Sequence, residues 1–226
     1  MHIPDGYLGP ETYIPMYVAF AGIAAIAVKK VKEKVNKKVI PYLGIASAFS
    51  FVIMMFNVPI PGGTTGHATG AAIISLLFGP WAAFISVSIA LIIQALVFGD
   101  GGITAIGANC INIAFIMPFV AWYVFKIIAN KNKTSNNKSM YFAAFIAGYI
   151  SLTIAAIVTA IQFGIQPLIA VDANGNPLYA PYPLKVSIPA MAIEHLLIFG
   201  IVEGIVTYLI FKYFMKNNNE IIEVIK

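Results

Sequence analysis

The chain has one cysteine, no arginine and little charge of either sign: 14 lysines and 9 acidic residues among 226. The lone Cys110 excludes an intrachain disulfide and a cysteine-rich metal centre. A soluble domain carries about 25% charged and roughly 45–50% apolar residues. Here the figures are 10% and 60%, with a mean hydropathy of +0.86. So much apolar surface finds its solvent only in a lipid bilayer, which excludes a soluble enzyme and a nucleic-acid binder. No phosphate-binding GxxxxGK[ST] occurs, so ATP is not hydrolysed by that route. The polar residues form no nucleophile–base constellation, which argues against a membrane enzyme. No row of carboxylates or histidines crosses the bilayer, as relays and cation pores require. The start, MHIPDG, has neither a basic n-region nor an apolar h-region, so Met1 is expected to be the mature terminus.

What is there in abundance is apolar runs. A spanning helix needs about 20 apolar residues, and the chain offers segments 13–28, 39–56, 67–78, 80–98, 103–128, 140–165 and 186–214. The third is 12 residues long, a length more usual for a re-entrant segment. Lysine placement decides its reading. With seven spans and the N-terminus outside, 13 of the 14 lysines lie on the cytoplasmic side and only Lys185 lies outside. A re-entrant third segment makes the split 7 against 7, so the positive-inside rule favours seven spans. Tyr42, Trp81, Trp122, Tyr123, Tyr141 and Tyr213 then cluster at the cytoplasmic ends, where interfacial aromatics belong. So short a third span must be shielded by its neighbours and sit centrally. The chain reads as one all-α membrane domain, 1–226. Segment 130–139, NKNKTSNNKS, is a solvated cytoplasmic connector, and 166–185 is an outer loop with a turn at DANGNP.

Two of the three histidines are oddly placed. His2 is the second residue, and His67 follows PGGTTG at the outer start of the third segment. Taken singly, His67 reads as a satisfied helix-end residue and His2 as terminal fraying. Both lie on the outer side, so they can meet. Removal of an initiator Met generally requires a small second residue, so His2 keeps Met1 in place. A free Met1-His2 terminus offers one ion the α-amine, the His2 amide once deprotonated, and imidazole Nδ1. These close a five-membered and a six-membered ring nearly in one plane, and His67 supplies a fourth nitrogen. A planar four-nitrogen site suits Ni(II) or Cu(II), with low-spin Co(II) also open. It suits Zn(II), which prefers a tetrahedron, poorly, and Ca(II) or Mg(II), which want oxygen, not at all.

MHIPDGYL at the start, PGGTTGHATG around His67, QALVFGDGGITAIGANCIN from Gln94 to Asn112, and HLLIFGIVEG from His195 resemble the CbiM/NikM family. Its members are substrate-capturing S-components of energy-coupling-factor (ECF) transporters for cobalt and nickel. The resemblance runs from residue 1 to about 204. It implies a metal held by Met1, His2 and His67, and a six-helix core with an extra N-terminal helix. It also implies as partners a coupling membrane protein, two ATPase subunits and a small accessory membrane subunit, in a prokaryotic plasma membrane. Ni(II) or Co(II) is then the transported substrate, and no catalytic cofactor is expected. The competing reading is a self-contained secondary transporter or channel for divalent transition metals.

Other polar groups in or near the spans leave both a functional and a structural reading open. Gln94, Asp100, Asn109 and Asn112 fall near the outer ends of spans four and five. They either orient the imidazoles and balance charge or bond helix to helix, and Asp5 joins them as a candidate supporting carboxylate. Glu194, His195 and Glu203 lie in the last span, where ionisable groups are costly and default to function. On an ideal helix His195 and Glu203 are about 80° apart, close enough to form a structural pair or a metal relay. Ala21-xxx-Ala25 and Gly44-xxx-Ala48 permit close helix approach.

Overall fold

A computed structural model of the chain describes residues 1–131 and 137–217. Residues 132–136, the middle of the expected connector, and 218–226 lie outside it, and with them Lys133 and Lys226. Helix α1 runs Pro10–Lys34 and α2 Ile40–Met54. A small hairpin follows, Val58–Pro59 (β1) paired antiparallel with Thr65–Gly66 (β2). Then come α3, Ala71–Phe78, and α4, Pro80–Phe98. Helix α5 starts at Ile106 and runs to Lys131, α6 is Asn137–Gly164, and α7 is Leu184–Asn217. Three rods carry a π-helical stretch: Gln94–Phe98 in α4, Cys110–Ile116 in α5 and His195–Phe199 in α7. Such stretches are frequent at functional sites.

Among the described residues, five helices are long and apolar enough to cross a membrane: α1 and α4 to α7. The protein is a multi-pass membrane protein. The ends of the rods differ from the apolar runs for local reasons. Pro10 at the first helical turn and Glu11 beside it start α1 early, because proline there costs no hydrogen bond and an acid suits the helix N-terminus. The third segment was expected to begin at His67 but begins at Ala71, since Gly70 in front of it takes φ +69°, a left-handed conformation open to glycine. The fifth was expected at residue 103 and begins at Ile106, because the Ile103 and Thr104 amides donate to the Asp5 carboxylate instead of entering a helix.

Helix α3 is the hub. It packs against α4, α5, α6 and α7, and Ala71–Leu76 are all buried, as a short apolar helix requires if its ends are to be kept from lipid. Eight residues span only about 12 Å, so residues 60–70 must descend into the bundle as non-helical backbone. Such backbone is tolerated at membrane depth only where protein satisfies it. Glu203 of α7 does this, its Oε2 accepting the Thr69 N–H at 2.6 Å and the Gly70 N–H at 3.1 Å. Ser50 Oγ donates to the Thr69 carbonyl at 2.8 Å. Glu203 is therefore an anchor for this loop. The π stretch at His195–Phe199 lies between it and His195, so ideal-helix arithmetic does not relate the two.

The up-and-down course puts two sets of connections at opposite ends. The N-terminal segment, the β1–β2 hairpin and residues 99–105 and 165–183 share one end, joined by bonds such as Gly102 N to Ile3 O and Ala180 N to Tyr7 O. Among the described lysines, only Lys185 belongs to this end. Helix α1 lies outside the bundle, with 6% of its apolar window buried, against α4 and the start of α5.

Glu203→Ala removes the acceptor of two buried amides, each left unsatisfied at a cost of about 1–3 kcal/mol. The variant is expected to melt well below wild type in detergent, while Glu203→Gln, which keeps an oxygen acceptor for both amides, recovers most of the loss. Equal melting of all three proteins would remove Glu203 from this role.

Candidate metal centre

The first eight residues enter the bundle end. Met1 and Ile3 have no exposed surface, and both belong to the main apolar core. Side chains and loops grip the segment's backbone. Asn109 accepts the Ile3 N–H at Oδ1 (2.8 Å) and donates Nδ2 to the Ile3 carbonyl (3.1 Å). Gly9 N–H donates to Gln166 Oε1 at 2.9 Å. Asp5 accepts from the Ile103 and Thr104 amides and, at 2.6 Å, from the Thr104 hydroxyl. Gly102 is required where the segment crosses: a Cβ there would lie 2.3 Å from the Asp5 amide nitrogen.

This grip delivers the amine and His2 to His67. The Met1 amine donates to the Thr65 carbonyl and, at 2.9 Å, to the Thr65 hydroxyl. The His2 and His67 rings have centres 4.6 Å apart and planes 22° apart. Both rings can therefore reach one ion, metal–imidazole bonds being about 2 Å. His67 Nδ1 lies 3.1 Å from the Ala68 carbonyl. That bond places the proton on Nδ1 and leaves the Nε2 lone pair free, and Nε2 is buried with no partner. A backbone carbonyl fixing the tautomer in this way is the usual support of a ligating histidine. His2 Nδ1 is 3.2 Å from Asp100 Oδ1, without the alignment of a hydrogen bond. Asn57 Nδ2 donates to the other Asp100 oxygen at 3.1 Å.

Burial holds the Met1 amine well below its ordinary pKa, against the opposing pull of Asp100. It also lowers that of His2, again against Asp100. For Asp100 itself burial acts upward, but His2, the terminal amine and the Asn57 amide together outweigh it and the carboxylate is held below its usual range. The centre is thus two basic nitrogens kept unprotonated beside one ionised carboxylate. Among the described residues no three His, Cys, Asp or Glu side chains are grouped to hold a metal.

The remaining sequence candidates separate. Asp100 and Asn109 touch the N-terminal residues, and Asp5 holds the segment. Gln94 is buried but donates to the Phe51 carbonyl at 3.2 Å, supporting the site only through its own carbonyl, which accepts the Asp100 amide. Asn112 pairs with Gln162 of α6 through bonds of 2.7 and 2.9 Å, a helix-to-helix clasp. Thr65, Asn57, Thr104 and Gln166 escaped the sequence reading, since hydroxyl and amide residues in loops carry no spacing signal.

The cobalt uptake substrate-specific transmembrane region family, CbiM, has a model that matches residues 2–221. The chain belongs to the CbiM family. It is 46% identical over 222 residues to the fused nickel transport protein NikMN of Rhodobacter capsulatus, covering 98% of this chain and 64% of that one. The CbiM-family chain thus spans about two thirds of its fused relative. A putative metal transport protein of Methanocaldococcus jannaschii is 45% identical over 96% of this chain and 92% of its own length. The crystal structure of a truncated transition metal transporter superposes with a TM-score of 0.92 at 50% identity, over 96% of this chain and 99% of that one.

The lowered amine and His2 values give the metal-free protein a pH dependence. Below the ordinary values of 8.0 for the amine and 6.5 for His2, the unfolded chain takes up protons that the folded one refuses. Stability therefore rises with pH and is lost as pH falls, by up to about 1.4 kcal/mol per unit per group. Melting of metal-free protein is expected to fall steadily from pH 8 to pH 5. A flat profile would contradict buried, unprotonated bases.

Proposed function

We propose that this chain is the substrate-binding component of an ECF importer, capturing Ni(II) or Co(II) through four nitrogens. The ligands are the Met1 amine, the deprotonated His2 amide, His2 Nδ1 and His67 Nε2. The observation that carries this is the meeting of a buried terminal amine with two buried imidazoles whose centres are 4.6 Å apart, His67 Nε2 having no other partner. Charge also balances: the ion brings two positive charges, the amidate and the Asp100 carboxylate one negative charge each. Asn109, Asp5 and Gln166 preorganise the segment, so the chelate closes with little further ordering. A planar set of nitrogens leans towards nickel through the affinity order Co(II) < Ni(II).

In this reading all seven helices, with α3 completed by the descending loop, cross a prokaryotic plasma membrane as one domain with Met1 outside. Lysine concentration at the end opposite the site supports that orientation. Capture then occurs outside, and a coupling membrane protein with two ATPase subunits, joined by a small accessory membrane subunit, drives release inward. The chain itself is no enzyme. The 46% identical relative is named as a nickel transport protein and a 29% identical one of Clostridium tetani as a cobalt transport protein, which supports this pair of ions.

Acetylating Met1, or inserting one residue before His2, removes the amine or breaks the five-membered ring. Titration of purified variants with Ni(II) is expected to show loss of the tight site, with elution and melting of the metal-free protein little changed for His67→Ala. Tight binding by the blocked terminus would exclude the chelate and point to the carboxylates Asp5, Asp100 or Glu194.

A further inference from the structure

One face of α7 runs alongside the descending loop. Met191 lies at the top, its sulfur 3.9 Å from the Thr64 hydroxyl and 2.7 Å from where a Cβ on Gly63 would sit. Phe199 follows, so close that a Cβ on Gly66 would fall 1.9 Å from its ring. Glu203 follows again, bonded to Thr69 and Gly70. His195 lies between Met191, which meets Gly63 and Thr64, and Phe199, which meets Gly66, and so falls level with the stretch that contains Thr65, whose carbonyl and hydroxyl hold the Met1 amine. His195 lies within electrostatic reach of that amine and of His67.

His195 has no exposed surface. Its Nδ1 lies 2.7 Å from the Met191 carbonyl, which takes the Nδ1 proton and leaves a lone pair on Nε2. Nε2 has no partner. This is the tautomer and the vacancy found at His67, in a second buried imidazole on the next element, inside a π-helical turn. The bond to Met191 does not use Nε2, so packing alone does not require an imidazole here.

We propose that His195 Nε2 is a transient metal ligand that catalyses exchange at the four-nitrogen site, a proposal that rests on that site being the one described above. Square-planar ions exchange ligands associatively: an incoming donor adds to the open face before a resident one leaves. His195 Nε2 donates its lone pair to the ion, giving a five-coordinate state. The bond to His67 Nε2 then breaks and returns that lone pair to His67. The metal stays divalent, and the His2 amide recovers its proton from water when the ion departs. A donor used only in passing speeds entry and exit equally and leaves affinity unchanged.

The test uses His195→Asn, whose side-chain amide nitrogen occupies the Nδ1 position and still donates to Met191 while Nε2 is lost. His195→Leu, which also removes Nε2 but fills the site with apolar volume, provides a second replacement should the first fail to fold. Full-length protein in detergent is loaded with Ni(II), and release to excess chelator and rebinding are followed by stopped-flow absorbance. Both rates are expected to fall about tenfold, with the dissociation constant within about twofold of wild type. Wild-type rates, or an affinity lower by an order of magnitude, overturn the relay. His67→Ala run in parallel separates the two ideas. If it loses tight binding while the His195 variants keep wild-type kinetics, only the relay falls, and if it binds tightly the four-nitrogen site itself falls.

Discussion

The terminal amine of this protein is buried, and the rest of the outer end follows from that. An ammonium group costs several kcal/mol to bury without compensation, so the amine is kept unprotonated and given the Thr65 carbonyl and hydroxyl as partners. The cost is offset by the Met1 and Ile3 side chains, both fully buried in the apolar core. Three loops and Asn109 then fix a segment that in most proteins frays. A chain terminus is ordinarily the least ordered part of a fold. Here it is built into the core, and the nitrogens it carries gain defined positions.

The second constraint is the non-helical descent of residues 60–70. A bilayer offers no partner for bare amides, and α7 supplies one with Glu203. The same helix face presents Met191 and Phe199 to the loop. The residues proposed to hold the metal and the helix that anchors their loop are therefore one mechanical unit, and movement of α7 against the bundle must move the backbone that carries His67. This linkage joins the outer end to the helix that ends among the lysines at the opposite end.

Much of this was legible in the residues. Apolar runs marked out the rods, because they report directly on the solvent each segment meets. The central position of α3 followed from its length. The pairing of His2 with His67 followed from chelate chemistry and from both lying at one end. What escaped is set by tertiary contact. Glu203 read as a relay or pair because an intramembrane carboxylate looks functional, and only the descending loop reveals the amides it serves. Asn112 looked like Asn109, one helical turn away, yet they face different partners, Gln162 and the Ile3 backbone. The start of α3 was misplaced by four residues because the apolar run continues through a loop that is buried but not helical.

The central claim is that one ion is held in a plane by nitrogens of the first two residues and His67. Nickel K-edge absorption of the purified, Ni(II)-loaded protein reads this directly. The account predicts the pre-edge signature of a planar four-coordinate ion, with four nitrogen neighbours at about 2 Å and imidazole scattering beyond. A six-coordinate, oxygen-rich shell would contradict it and place the ion on the carboxylates.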